Sequence, residues 1–113
     1  MKSLFQAIDN QDADSFAAFL AENATFRFGN APAVHGREAI KAAVSGFFDS
    51  ISAISHTLNE AWQTPAGAVS HGAVTYTRLD NSTLTVPFCN VFKIRDNLIE
   101  EYLIFVDNSE LYR

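Results

Sequence analysis

Two apolar runs near the end of the chain, Leu84 to Ile94 and Leu98 to Asp107, are separated only by Arg95-Asp96-Asn97. Asp and Asn tolerate the left-handed backbone of a two-residue hairpin turn, so the runs read as neighbouring antiparallel strands. Pairing across that turn sets Asn90 opposite Leu103, Phe88 opposite Phe105 and Val86 opposite Asp107. Side chains alternate along a strand, so this register places an amide and a carboxylate on one phenylalanine-rich face. An ionised carboxylate on such a face is either paired, exposed at a rim, or kept for chemistry.

The rest of the chain supplies helices to cover that face. Leu4, Phe5 and Ile8 predict a short first helix, and Asp12 caps a second that presents Phe16, Phe19 and Leu20. A short strand over Ala24 to Gly29 and a loop over Asn30 to Gly36 come next. Ile40, Val44, Phe47, Phe48 and Ile51 then form the apolar stripe of a longer helix. From Ser52 onward the period is two, with strands predicted over Ala53 to Gln63, Ala68 to Leu79, Leu84 to Ile94 and Leu98 to Val106. Their separators are turn signals, Thr64-Pro65-Ala66-Gly67 and Asp80-Asn81-Ser82-Thr83 among them. The reading is one α+β domain over residues 1–113, a curved antiparallel sheet forming a cone packed by N-terminal helices.

Register arguments extend the face. A two-residue turn at Asn81-Ser82 puts Thr75 opposite Phe88, Ala73 opposite Asn90 and His71 opposite Phe92. In the strand before, His56, Leu58, Glu60 and Trp62 share the more apolar parity, which directs His56 inward and opposite Thr75. The other face carries Val74, Tyr76, Cys89, Val91, Tyr102, Ile104 and Val106. A sheet apolar on both sides must cover both, and a second subunit on the outer face is the simplest cover, so a homodimer is expected.

Composition narrows the function classes. Of 113 residues 48% are hydrophobic and ten are Phe, ample for one core without disulfides or metal. A net charge of −5, with Lys and Arg scattered singly, argues against a nucleic-acid surface. The lone Cys89 reads as a packed thiol, and with no leader-like or membrane-length apolar segment the expectation is a cytoplasmic protein off the membrane. The three histidines lack ligand spacing, so no metal is expected, and no Gly-rich phosphate loop or nucleophile elbow points to a cofactor or a covalent mechanism.

The order of hairpin, short strand, helix and long meander resembles the nuclear transport factor 2-like superfamily, its SnoaL-like branch of small proteins in particular. The resemblance covers nearly the whole chain. It rests on Asp9-Asn10-Gln11-Asp12, Ala24-Thr25-Phe26, His35-Gly36-Arg37-Glu38-Ala39-Ile40, Pro87-Phe88-Cys89-Asn90-Val91-Phe92 and Tyr102 to Asp107. It implies a cone enclosing an apolar pocket with a few polar groups, and leaves the activity open among isomerases, cyclases, hydrolases, dehydratases and binding domains. Against ketosteroid isomerases the oxyanion Asp position falls at Asn90, the Tyr position near Leu4 or Phe5, and the base position around Phe28 to Asn30, which holds no carboxylate. Against limonene-epoxide hydrolase-like members, Phe88 and Asn90 stand at the Arg and Asp positions. The final-strand acid/base Asp of SnoaL-like cyclases is similar to Asp107.

The candidate site is therefore Asp107 as acid/base, Asn90 as hydrogen-bond donor to a substrate oxygen and His56 as proton relay. Phe26, Phe28, Phe47, Trp62, Thr75, Phe88, Leu103 and Phe105 are expected to line the pocket, and a small apolar molecule to occupy it. Desolvation by Phe88, Phe105 and Val86 would raise the Asp107 pKa towards a useful range; the competing reading is an Asx turn onto Ser109 or Glu110. Asn90 and His56 have bland readings too, as hydrogen-bonded packed groups, and His35 and His71 read as peripheral. An isomerase, cyclase or lyase, a ligand-binding module and a dimeric assembly domain all remain consistent with the sequence.

Overall fold

The computed structural model describes residues 2–112. Its elements are α1 (Lys2–Asp9), α2 (Ala13–Ala17), β1 (Leu20–Phe28), β2 (Val34–His35), α3 (Arg37–Asp49), β3 (Ala53–Thr64), β4 (Gly67–Thr77), β5 (Thr83–Arg95) and β6 (Leu98–Val106). Six strands form one sheet in the order β2-β1-β6-β5-β4-β3. All neighbours are antiparallel except β1 and β6, which run parallel.

Local sequence explains the helices. Asp12 caps α2 by accepting a hydrogen bond from the Ser15 amide at 3.1 Å. The α3 stripe buries Ile40, Val44 and Phe48, and the helices pack on one face of the sheet against Phe26, Phe88, Phe92 and Tyr102. Phe19 and Leu20 are not part of α2: Leu20 opens β1, which is longer than expected, and β2 lies inside the expected loop.

The sheet departs from the expected registers by odd numbers of residues, and each departure exchanges faces. Beside the Asp96-Asn97 turn, Arg95 pairs with Leu98 and Ile94 with Ile99, and both turn residues have positive φ, as the hairpin requires. Glu100 is then an extra residue on β6, so Asn90 faces Ile104 and Phe88 faces Val106. Between β4 and β5 the connection is five residues, Arg78 to Ser82, closed by the Arg78 amide on the Ser82 carbonyl at 2.8 Å. Asn90 consequently faces Ser70 and Phe88 faces Gly72. A second bulge at Asn59 puts His56 opposite Val74, while beyond it Glu60 faces His71 and Trp62 faces Val69.

The inner face therefore carries His56, Ser70, Val74, Tyr76, Phe88, Asn90, Phe92, Tyr102 and Ile104. The outer face carries Trp62, His71, Thr75, Cys89, Val91, Leu103 and Phe105. Five residues expected outside, Val74, Tyr76, Tyr102, Ile104 and Val106, thus face the helices; Cys89 and Val91 are outside as expected. Among the described residues no helix is long and apolar enough to cross a membrane.

Gly72 sits where the Asn59 bulge brings two backbones together. A Cβ there would lie 1.9 Å from the Thr57 carbonyl oxygen, a contact only a backbone shift can relieve. Gly72→Ala is expected to destabilise the fold by about 2 kcal/mol or more, read as a lower urea midpoint. An unchanged midpoint would show that the bulge does not need a glycine.

Candidate active site

The site begins where α1 meets the edge of the sheet. Asp9, the last residue of α1, accepts from the His56 backbone N–H at 3.1 Å with one carboxylate oxygen and holds the His56 ring at Nδ1 with the other, at 2.6 Å. Both oxygens thus grip one residue, which sets the ring orientation. The ring is further held by Phe5, centroid to centroid 4.9 Å, and by Phe88 edge-on at 5.2 Å. With Nδ1 engaged by the carboxylate, Nε2 is the nitrogen left for a ligand. The His56 side chain is 10% exposed and that of Asp9 30%.

His56 borders a small chamber of about 40 Å³ on the inner face, whose walls include Ile8, Phe28, Tyr76, Phe88, Asn90 and Tyr102. Asn90 is 1% exposed and its Oδ1 has no hydrogen-bond partner. Its cross-strand neighbour Ser70, fully buried, also has an unpartnered hydroxyl. Buried polar atoms are overwhelmingly paired, so two neighbouring orphans are exceptional. Burial pushes the Tyr76 and Tyr102 phenols up, with further contributions from Tyr112 on Tyr76 and from Tyr76 and Asp9 on Tyr102. Both stay protonated at any physiological pH. Among the described residues no three or more His, Cys, Asp or Glu side chains converge as a metal site.

Two further cavities continue from this chamber towards α3. A wholly apolar one of about 40 Å³ shares Ile8, Phe28, Tyr102 and Ile104 with it. The next, about 200 Å³, lies between α3 and the residues leading to β2 and is lined by Phe26, Phe28, Pro32, Val34, Val44 and Phe47. Phe28 borders all three, and it meets Phe47 edge to face at 5.0 Å.

Of the expected catalytic residues, His56 and Asn90 come together and Asp107 does not join them. The bulge at Glu100 turns Asp107 to the other side, where it is exposed and accepts from the Ser109 amide at 3.0 Å. Hydrogen bonds from Ser109, side chain first and then backbone, hold its carboxyl below the usual Asp value, not above it. Phe26, Phe28, Phe47 and Phe88 border the interior cavities. Trp62, Thr75, Leu103 and Phe105 lie outside: Trp62 stacks on His71 at 5.5 Å, and the Thr75 hydroxyl bonds that of Thr85 at 2.8 Å. A larger, open concavity of about 640 Å³ lies around the β5–β6 end of the sheet, lined by His71, Pro87, Cys89, Phe105 and Asp107 and also by Asn30, Phe88 and Val106. It contains no unpartnered buried polar atom, and so the smaller chamber is the better site.

Asp9, Tyr76 and Tyr102 were not expected at the site. The signal for Asp9 was its place one turn after Phe5 on the first helix, at the end of a stripe directed at the sheet. Removing the unpaired Asn90 amide relieves a desolvation cost, so Asn90→Leu, similar in volume, is expected to raise stability by about 1 kcal/mol. That corresponds to roughly 4 °C in melting temperature for a chain of this size. A lower melting temperature would mean that the amide is satisfied.

The family model of the SnoaL-like domain matches residues 1–102. Among solved structures, an NTF2-like protein of unknown function from Burkholderia pseudomallei superposes with a TM-score of 0.87 at 15% identity, covering 97% of this chain and 89% of the other. A proposed polyketide cyclase from Xanthomonas campestris pv. campestris gives 0.82 at 19% identity, covering 97% and 89%. A protein with a ketosteroid isomerase-like fold from Catenulispora acidiphila, in complex with trimethylamine, gives 0.85 at 13% identity, covering 92% and 82%. No curated protein matches the sequence. The matched span and the six-stranded sheet wrapped on its helices agree: this chain belongs to the SnoaL-like domain family.

Proposed function

We propose that the protein is a cofactor-independent acid–base enzyme of isomerase or cyclase type, with His56 as the base, Asp9 as its positioning partner and Asn90 holding the substrate oxygen. The observation that carries this reading is the Asp9–His56 contact of 2.6 Å at the wall of a chamber that Asn90, whose Nδ2–H groups would donate to the substrate oxygen, also lines. Nε2 takes a proton from the carbon next to a carbonyl, and the C–H electron pair moves into the enolate. Asp9 balances the imidazolium so formed, and the protonated Tyr76 and Tyr102 keep the surroundings free of competing negative charge. Returning the proton to a different carbon completes an isomerisation without redox change. The cyclase and isomerase-like relatives support the same class of chemistry, and the acid/base role passes from Asp107, at the exposed rim, to His56.

The isomerisation of 3-cyclohexenone to 2-cyclohexenone, followed by ultraviolet absorbance, tests this. The wild type should accelerate it, and His56→Gln should lose about 100-fold or more. Asp9→Asn should lose roughly 10- to 100-fold, because the ring loses the carboxylate that orients it. Asp107→Asn should keep the rate. Full activity in His56→Gln sinks the reading, and loss in Asp107→Asn returns the role to the last strand. Thermal stabilisation by a ligand, with no turnover of this or any related ketone, would instead make the protein a binding module.

A homodimer through the outer face accompanies this reading, because Trp62 is 48% and Phe105 58% exposed on a sheet face that also carries Cys89, Val91 and Leu103. Tyr102 faces the core, so the interface is probed with Phe105→Glu. Sedimentation at micromolar concentration should give a dimer for the wild type and a folded monomer for the variant; a monomeric wild type refutes the interface.

A further inference from the structure

The cavity between α3 and the residues leading to β2 differs in kind from the chamber beside His56, because only apolar side chains border it. We infer that it is a second binding site, which takes one aromatic hydrocarbon ring with at most a short alkyl substituent. The inference does not rest on the acid–base reading.

The walls set the chemistry. Phe26 and Val44 are buried at the cavity, while Phe28, Val34 and Phe47 are half-buried around it. The backbone nearby is engaged elsewhere. The Ala31 N–H donates to the Phe28 carbonyl at 3.1 Å, and the Ala31 carbonyl accepts from Arg27 Nε at 3.2 Å. Val34 pairs with Phe26 in the sheet, and the Phe47 carbonyl accepts from the Ser50 amide at 3.0 Å and from the Ser50 hydroxyl at 2.6 Å. An ordered water needs several polar partners, which these walls do not supply. Hydrocarbon is what they accommodate.

Size and shape narrow the ligand. A dry apolar cavity of roughly 150 Å³ holds benzene, so about 200 Å³ has room for a ring and a small substituent. Phe28 and Phe47 already meet edge to face at 5.0 Å, and a further ring can join them in the edge-on or offset arrangements that aromatic groups prefer. Interiors leave few voids larger than a water. This one persists because small residues stand on both rims, Ala31 and Pro32 on the loop and Ala43 on the helix. All three are exposed, so a ligand reaches the cavity from solvent without parting the sheet from its helices.

Toluene is the probe. Titration calorimetry on the full chain should show saturable binding with a negative heat-capacity change, the mark of buried apolar surface. In methyl NMR spectra the bound ring should shift Val34 and Val44, at this cavity, and leave Ile54 and Val74, at the chamber, in place. Two substitutions fill the space from opposite sides: Ala43→Phe and Val34→Phe should each weaken toluene binding by roughly tenfold or more. Shifts centred on Ile54 and Val74, or on Val91 and Leu103 of the outer face, overturn the inference on the wild type alone, whether or not the filled variants fold. So does the absence of saturable binding, or unchanged affinity in both filled variants when folded. His56→Gln should bind toluene as the wild type does. Toluene bound at Val34 and Val44 with no cyclohexenone turnover removes the acid–base reading and leaves this site standing, and the converse pattern removes this site alone.

Discussion

The grip of Asp9 on His56 does two jobs at once, and the rest of the site depends on their being done by the same carboxylate. β3 is an edge strand, paired only with β4, so alternate amides along its free side have no strand partner. One of these is the His56 N–H, and Asp9 accepts from it at 3.1 Å. The edge is blunted there by α1 instead of being left open to another chain. The second oxygen of the same group takes the ring, so docking the helix on the sheet also aims the imidazole. Phe5, one helical turn earlier, packs on the ring's face and completes the docking. Losing Asp9 would strand a half-buried imidazole and an edge amide together, a larger penalty than that of an exposed ion pair.

What could be read from the sequence follows from where the sheet keeps its period and where it breaks. The stripes of α1 and α3, the strand β6 and the turn at Asp96-Asn97 were legible because each is set by residues within a turn or two. The pairing beside that turn was legible for the same reason. The faces were not, because a single extra residue reverses every side chain beyond it. Glu100 does this to β6, carrying Leu103, Phe105 and Asp107 outward and Tyr102 and Ile104 inward. Asn59 does it within β3, so that His56 was placed correctly and Trp62, on the far side of the bulge, was not. Neither Glu100 nor Asn59 differs in type from its neighbours in a way that marks a bulge. Gly72 was the one available sign, since a glycine inside a strand indicates a close backbone approach.

The two asparagine-type signals of the sequence separate physically. Asn81, Asp96 and Asn97 sit in turns at positive φ, where their side chains are in water. Asn90 sits mid-strand among Phe88, Val91 and Phe92 and is buried, so its amide is maintained at a cost in stability. Groups that a fold keeps against its own stability are the ones to examine for function, whereas a carboxylate at a strand end with a serine two residues on satisfies itself locally. Asp107 is the second kind and Asn90 the first, a distinction that depends on burial and is invisible to a pattern of letters.

Chemistry in so small a chamber is limited by what can face the ligand. One imidazole, one amide and two neutral phenols line it or its wall, and the Asp9 carboxylate beside it is already committed to the imidazole. Such a set moves a proton and holds an oxygen. The apolar walls strengthen both effects, because a hydrogen bond or a charge separated from water is worth more than the same group at the surface. On the proposed function, enlarging the chamber would loosen the alignment between His56 and a substrate C–H bond, so the tight packing around Phe28, Phe88 and Tyr102 would serve the proton transfer.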